Sequence, residues 1–97
     1  MSSDYVIAID AGTTGVRCRA VFVDDRPSVA SYREFTQHFP QPGWVEHDAD
    51  EIWAAVVATF SDVVEQCGLP LAIGITNQRE TVVGWNRRTS RPIGRAI

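Results

Sequence analysis

The stretch Ile7 to Arg17, IAIDAGTTGVR, limits the fold more than any other part of the chain. A β-branched apolar run from Tyr5 to Ile9 stops at Asp10-Ala11-Gly12, and a second run, apolar at Val16, Ala20 and Phe22, extends to Val23. Two such runs parted by a short Gly- and Thr-containing segment predict strand, tight bend, strand. Neighbours joined so closely pair antiparallel, because parallel pairing needs a long crossover. Asp24-Asp25-Arg26-Pro27 is a turn signal, and Val29 to Thr36 predicts a third strand with Val29, Ser31, Arg33 and Phe35 on one face.

Beyond this expected three-stranded meander, Gln37 to His47 contains two prolines, a glycine and aromatics without period, which predicts an ordered loop pinned by Phe39 and Trp44. His38 and His47 lack a partner at metal-ligand spacing, so hydrogen-bonded or solvated histidines are expected there. Asp48 then opens the clearest helix, as N-cap with Glu51 three residues on as a capping-box partner. Ile52, Trp53, Val56, Val57, Phe60, Val63, Val64 and Cys67 form a broad stripe of period 3.6, expected to lie on the sheet. Gly68 and Pro70 end the helix. Leu69 to Ile75 is nearly continuous apolar sequence, predicting a strand covered on both faces and parallel to the first. Thr81 to Trp85 predicts another strand, Asn86 to Ser90 a polar turn, and Arg91 to Ile97 a further extended segment.

The bend between the first two strands also carries chemistry. Gly12 and Gly15 allow φ > 0 and a close approach of the backbone, so that successive N–H groups can converge on one anion. Thr13 and Thr14 add hydroxyl donors, and Arg17 adds charge-assisted hydrogen bonds. Asp10, at the end of the first strand, suits a Mg²⁺ ion that keeps several waters and takes only one or two protein carboxylates. Together these groups suit the phosphates of a Mg-nucleotide. A hairpin turn that merely uses Gly and Thr fits the same residues. The bend is not a GxxxxGK[ST] loop, since all nine basic residues are arginines, nor a GxGxxG fingerprint, since it leads into a strand. What remains is the phosphate hairpin of actin-like folds.

A second polar cluster, Thr76-Asn77-Gln78-Arg79-Glu80, follows the predicted parallel strand at the end where open α/β sheets bind ligands. A guanidinium beside a carboxylate suits a polyol, one donating to hydroxyls and the other accepting from them. A solvated, salt-bridged turn is the plainer reading of the same pair.

Composition narrows the partners. With 97 residues the chain is one domain at most. A net charge of -3, with arginines scattered, argues against nucleic acid as partner. No apolar run approaches the roughly 18 residues of a membrane span, and Met1-Ser2-Ser3-Asp4 lacks signal-peptide character, so the cytoplasm is the expected compartment. Cys18 and Cys67, without a second pair, are expected to be buried small apolar residues rather than zinc ligands or a disulfide.

Three segments in order, IDAGTTGVR from Ile9, FPQPGWVEHD from Phe39 running into Glu51-Ile52-Trp53, and GITNQRET from Gly74, closely resemble the start of the glycerol kinases of the FGGY carbohydrate kinase family. The resemblance spans nearly the whole chain. It implies the amino-terminal part, residues 1–97, of the family's first domain: an α/β fold of actin-like, ribonuclease-H-like type, with the antiparallel meander, a crossover helix and a parallel strand. It also implies transfer of the γ-phosphoryl group of ATP, with Mg²⁺, to a glycerol hydroxyl. By that likeness Gly12, Thr13, Thr14, Gly15 and Arg17 match nucleotide-phosphate contacts, Asp10 sits near Mg²⁺, and Arg79 with Glu80 match glycerol contacts. Many glycerol kinases carry Gln where this chain has Ala11 and Ser where it has Gly15. The catalytic base, further glycerol contacts and the adenine pocket are expected on chain beyond these residues, so the 97 residues alone are expected to be inactive. Apolar surface left uncovered, self-association of the fragment and a homo-oligomeric parent are expected too. Another sugar or polyol kinase of the family, or a non-catalytic phosphate-binding module, remains an alternative.

Overall fold

The computed structural model describes residues 4–24, 26–77, 81 and 83–96. Strands β1 (Tyr5–Ala11), β2 (Gly15–Phe22) and β3 (Val29–Glu34) form the expected antiparallel meander. Short strands β4 (Gln37–His38) and β5 (Glu46–His47) precede helix α1 (Ala49–Cys67), and β6 (Ala72–Thr76) returns beside β1 in parallel register. The sheet order is β3-β2-β1-β6.

Alternation along the strands decides the two faces. Tyr5, Ile7, Ile9, Val16, Cys18 and Ala20 point to one side and are buried with Ala55 and Val63 of α1. Valine and isoleucine stand well on a pleated surface, so these strands gain from β propensity and burial together. The Ser31 hydroxyl, also on this face, donates to the Asp62 carboxylate at 2.8 Å and ties β3 to the helix. The opposite face, with Ala8, Asp10, Arg17, Arg19, Ala30 and Tyr32, is exposed.

Asp48 caps α1 as expected, its carboxylate accepting from the Asp50 N–H at 2.9 Å. Glu51 does not close a capping box. Its carboxylate instead accepts from the Thr36 N–H at 3.3 Å and lies 4.0 Å from His38 Nε2, because the end of β3 runs close beside the first turn. At the other end Gly68 adopts φ 84°, and its N–H donates to the Val64 carbonyl at 2.8 Å.

Three expectations are corrected. The Gln37–His47 loop is closed by β4 pairing with β5, and by a Gln41-Pro42-Gly43-Trp44 turn in which Trp44 N–H donates to the Gln41 carbonyl at 3.0 Å and Gly43 takes φ 82°. Phe39 and Trp44 do not pin it, being exposed. His47, expected to be hydrogen-bonded or solvated, is buried edge-on to Phe35, and its backbone N–H donates to the Ala96 carbonyl at 2.9 Å. Second, β6 is uncovered along its whole length, not buried on both faces. The helix packs chiefly on β2 and β3, so it leaves the β1–β6 side bare. The outer part of its stripe, Trp53 and Val57, joins Ile9, Val56, Phe60, Ile73 and Ile75 in lining a wholly apolar groove of about 260 Å³. Third, Thr81 and Val83–Trp85 form no strand ladder. Trp85 bridges Pro92 across the expected polar turn, where the Asn86 side chain accepts from the Arg88 and Thr89 N–H groups. Cys18 is buried and Cys67 half-buried, both as free thiols. No described helix is long and apolar enough to cross a membrane.

Candidate active site

The bend at residues 12–14 is held by its own backbone. Gly12 N–H donates to the Gly15 carbonyl at 3.0 Å, and the Thr14 carbonyl accepts from Phe35 N–H at 3.3 Å, so the tip is braced from β3. Asp10, Thr13, Thr14 and Arg17 are exposed there. Neither glycine uses φ > 0, contrary to expectation. Gly15 is needed for space instead. A Cβ built on it would stand 2.5 Å from the Tyr32 hydroxyl and 2.7 Å from the Arg33 carbonyl oxygen, closer than real Cβ atoms approach. Gly12, whose added Cβ would meet nothing nearer than 3.5 Å, is not constrained in this way.

Strand register then assembles a row of polar side chains that the sequence order hides. Thr76 lies opposite Asp10, Asp10 opposite Arg17, and Arg17 opposite Tyr32, one residue from each of the four strands. Residues directly opposite share a sheet face, so all four project from the side away from α1. The Thr76 hydroxyl donates to the Asp10 carboxylate at 3.2 Å. The Arg17 guanidinium carbon stands 4.8 Å from the centre of the Tyr32 ring, and the Tyr32 hydroxyl is 3.3 Å from that of Thr14. The sequence places Thr76 in the second polar cluster but not against Asp10, and it does not single out Tyr32. Alternation did put Tyr32 on the face opposite Val29 and Ser31, which was the available signal.

Gln78, Arg79 and Glu80 lie outside the described residues. Their sequence neighbours Asn77 and Thr81 line a hollow of about 230 Å³ with Ala11, Ala49, Ile52, Val83 and Ala96. This hollow sits where β1 and β6 end and α1 begins. Parallel strands deliver both polar segments to the same end of the sheet, the bend after β1 and the Thr76-Asn77 segment after β6.

Asp10 offers one accessible carboxylate, and among the described residues no three His, Cys, Asp or Glu side chains gather into a metal cage. That donor set fits Mg²⁺, which is held by one or two carboxylates together with phosphate oxygens and waters.

The model of the FGGY family of carbohydrate kinases, N-terminal domain, matches residues 5–97. A glycerol kinase of Rhizobium rhizogenes is 52% identical over 99 residues, which are 96% of this chain and 20% of that protein. The glycerol kinase of Halorhodospira halophila is 48% identical over 103 residues, covering 100% of this chain and 20% of its own length. Among solved structures, gluconate kinase from Lactobacillus acidophilus superimposes with a TM-score of 0.89 at 21% identity, over 99% of this chain and 20% of that one. Plasmodium falciparum glycerol kinase with ADP gives 0.79 at 28% identity, again over 99% and 20%. The chain thus spans about a fifth of the length of the curated relatives it matches.

Proposed function

The chain belongs to the FGGY family of carbohydrate kinases, and from that premise we propose that it is the amino-terminal part of a longer kinase that transfers the γ-phosphoryl group of ATP to a glycerol hydroxyl. One observation carries the proposal: Asp10, Thr14 and Arg17 stand exposed at the end of the sheet where the Thr76-Asn77 segment also emerges, held to Asp10 through the Thr76 hydroxyl. The glycerol kinases at about half identity support glycerol, rather than another polyol, as the acceptor.

Each residue then has a task. Thr13 and Thr14 donate hydroxyl hydrogens to phosphate oxygens, and Arg17 adds a planar guanidinium that carries charge at every working pH. Asp10 holds Mg²⁺, which when bound neutralises charge on the phosphate oxygens. The Thr76 hydrogen bond fixes the Asp10 carboxylate before ligand arrives. Arg79 and Glu80, outside the described residues, grip the glycerol hydroxyls. Phosphoryl transfer depends on positioning and charge stabilisation by several groups at once, so the remaining chain must complete the site and cover the apolar groove beside β6. A kinase of this kind works in the cytoplasm, where ATP is plentiful.

The test is a substrate panel on the full-length protein with MgATP: glycerol, xylulose and gluconate, read as ADP released. Glycerol should give a kcat/KM at least about a hundredfold above the others, since a five- or six-carbon chain clashes in a site closed around three carbons. Preference for either other compound would refute the assignment of glycerol, and no turnover of any would refute the kinase.

A further inference from the structure

We propose that Tyr32 is a positioning residue of the phosphate bend, holding Arg17 and Thr14 in the geometry that receives the nucleotide. The inference rests on the reading of that bend given above and adds a residue to it. Tyr32 is not a core residue, since it is 43% exposed on the face away from the helix. Yet its two polar contacts go to two of the groups assigned to the phosphates. The ring lies under the Arg17 guanidinium at 4.8 Å, and the hydroxyl reaches Thr14 Oγ1 at 3.3 Å.

Gly15 makes this possible. The Tyr32 hydroxyl and Cζ lie 2.5 and 2.7 Å from where a Cβ on residue 15 would stand, so the phenol fills the space that a side chain there would take. The bend therefore has an aromatic hydroxyl, supplied from β3, where its own sequence supplies only hydrogen.

Two physical effects follow. An arginine on a long flexible stem loses conformational freedom when it grips an anion, and a ring that already holds the guanidinium reduces that loss. Either oxygen of the Tyr32–Thr14 hydroxyl pair can donate; with Tyr32 O–H donating to Thr14 Oγ1, the Thr14 proton is left to point outward, toward a phosphate oxygen. Glycerol is served by other residues and gains nothing from either effect.

The experiment compares Tyr32→Phe and Tyr32→Leu with the unchanged full-length protein. It measures KM for ATP, KM for glycerol, and MgATP affinity by calorimetry, with thermal midpoints as a control. Loss of the hydroxyl in Tyr32→Phe should raise the ATP KM and Kd about threefold, the size of one modest hydrogen bond. Loss of the ring as well in Tyr32→Leu should raise both about tenfold, with glycerol KM within about twofold of the original. Tyr32→Leu with unchanged ATP affinity, or with ATP and glycerol KM rising together, would overturn the role. Should the unchanged protein bind MgATP without phosphorylating any polyol, the transfer reading falls while the affinity ratio still decides for or against Tyr32. Absence of MgATP binding would overturn both.

Discussion

Gly15 shows how little a residue type says until its neighbours are known. As a glycine in a bend it suggested a left-handed backbone, whereas in this chain the Tyr32 phenol and the Arg33 carbonyl occupy the space a Cβ would need. Gly15→Ala should therefore lower stability by about 1–3 kcal/mol through overpacking against Tyr32 and the Arg33 carbonyl. Denaturant titration checks this as a lower midpoint at unchanged slope; an unmoved midpoint would mean that β3 stands farther off. Asp10, Thr14 and Arg17 could be grouped from the sequence because eight consecutive residues contain them all, with chemistry that suits one ligand. Tyr32, and the pairing of Thr76 with Asp10, could not, since strand pairing brings these residues in from 15 and 66 positions beyond Arg17 and Asp10, and no local pattern encodes that register.

Among the elements, α1 was readable to its ends because capping, periodicity and termination are local effects that agree with one another. Its C-terminus offers a clean test. Gly68 has φ 84° and ψ -168°, a region that suits glycine alone, and an added Cβ there would touch nothing within 4 Å. The cost of Gly68→Ala is thus backbone strain without steric clash, about 1–3 kcal/mol. Gly74→Ala in β6 meets nothing within 4 Å either, at a backbone without positive φ, and should be neutral or slightly stabilising. Equal effects from the two substitutions, compared by thermal unfolding, would contradict this account of the cap. Glu51 and the β4–β5 pair escaped notice for the opposite reason. Glu51 had a local role available, but the Thr36 N–H offered a tertiary partner. The two residues of each short strand carry no alternation at all.

For the molecule as a whole, hydrophobic pattern identified which residues prefer burial, not whether this stretch of chain supplies the cover. The radius of gyration is 15.4 Å, against roughly 13 Å for a compact domain of 100 residues. Ile75, in a strand expected to be buried, is 69% exposed, and Trp53 of the helix stripe is 65% exposed. Both make sense if β6 is an inner strand of a larger sheet and the groove beside it is filled by further chain. The central claim is that two polar segments at one end of this sheet divide the substrates between them, phosphates to the bend after β1 and polyol to the segment after β6. Its most direct test is the pair of KM values, for ATP and for glycerol, in Arg17→Ala and Arg79→Ala of the full-length kinase. The account predicts that Arg17→Ala raises the ATP KM by about tenfold or more with glycerol KM little changed, and that Arg79→Ala does the reverse. Equal losses for both ligands in both variants would contradict it.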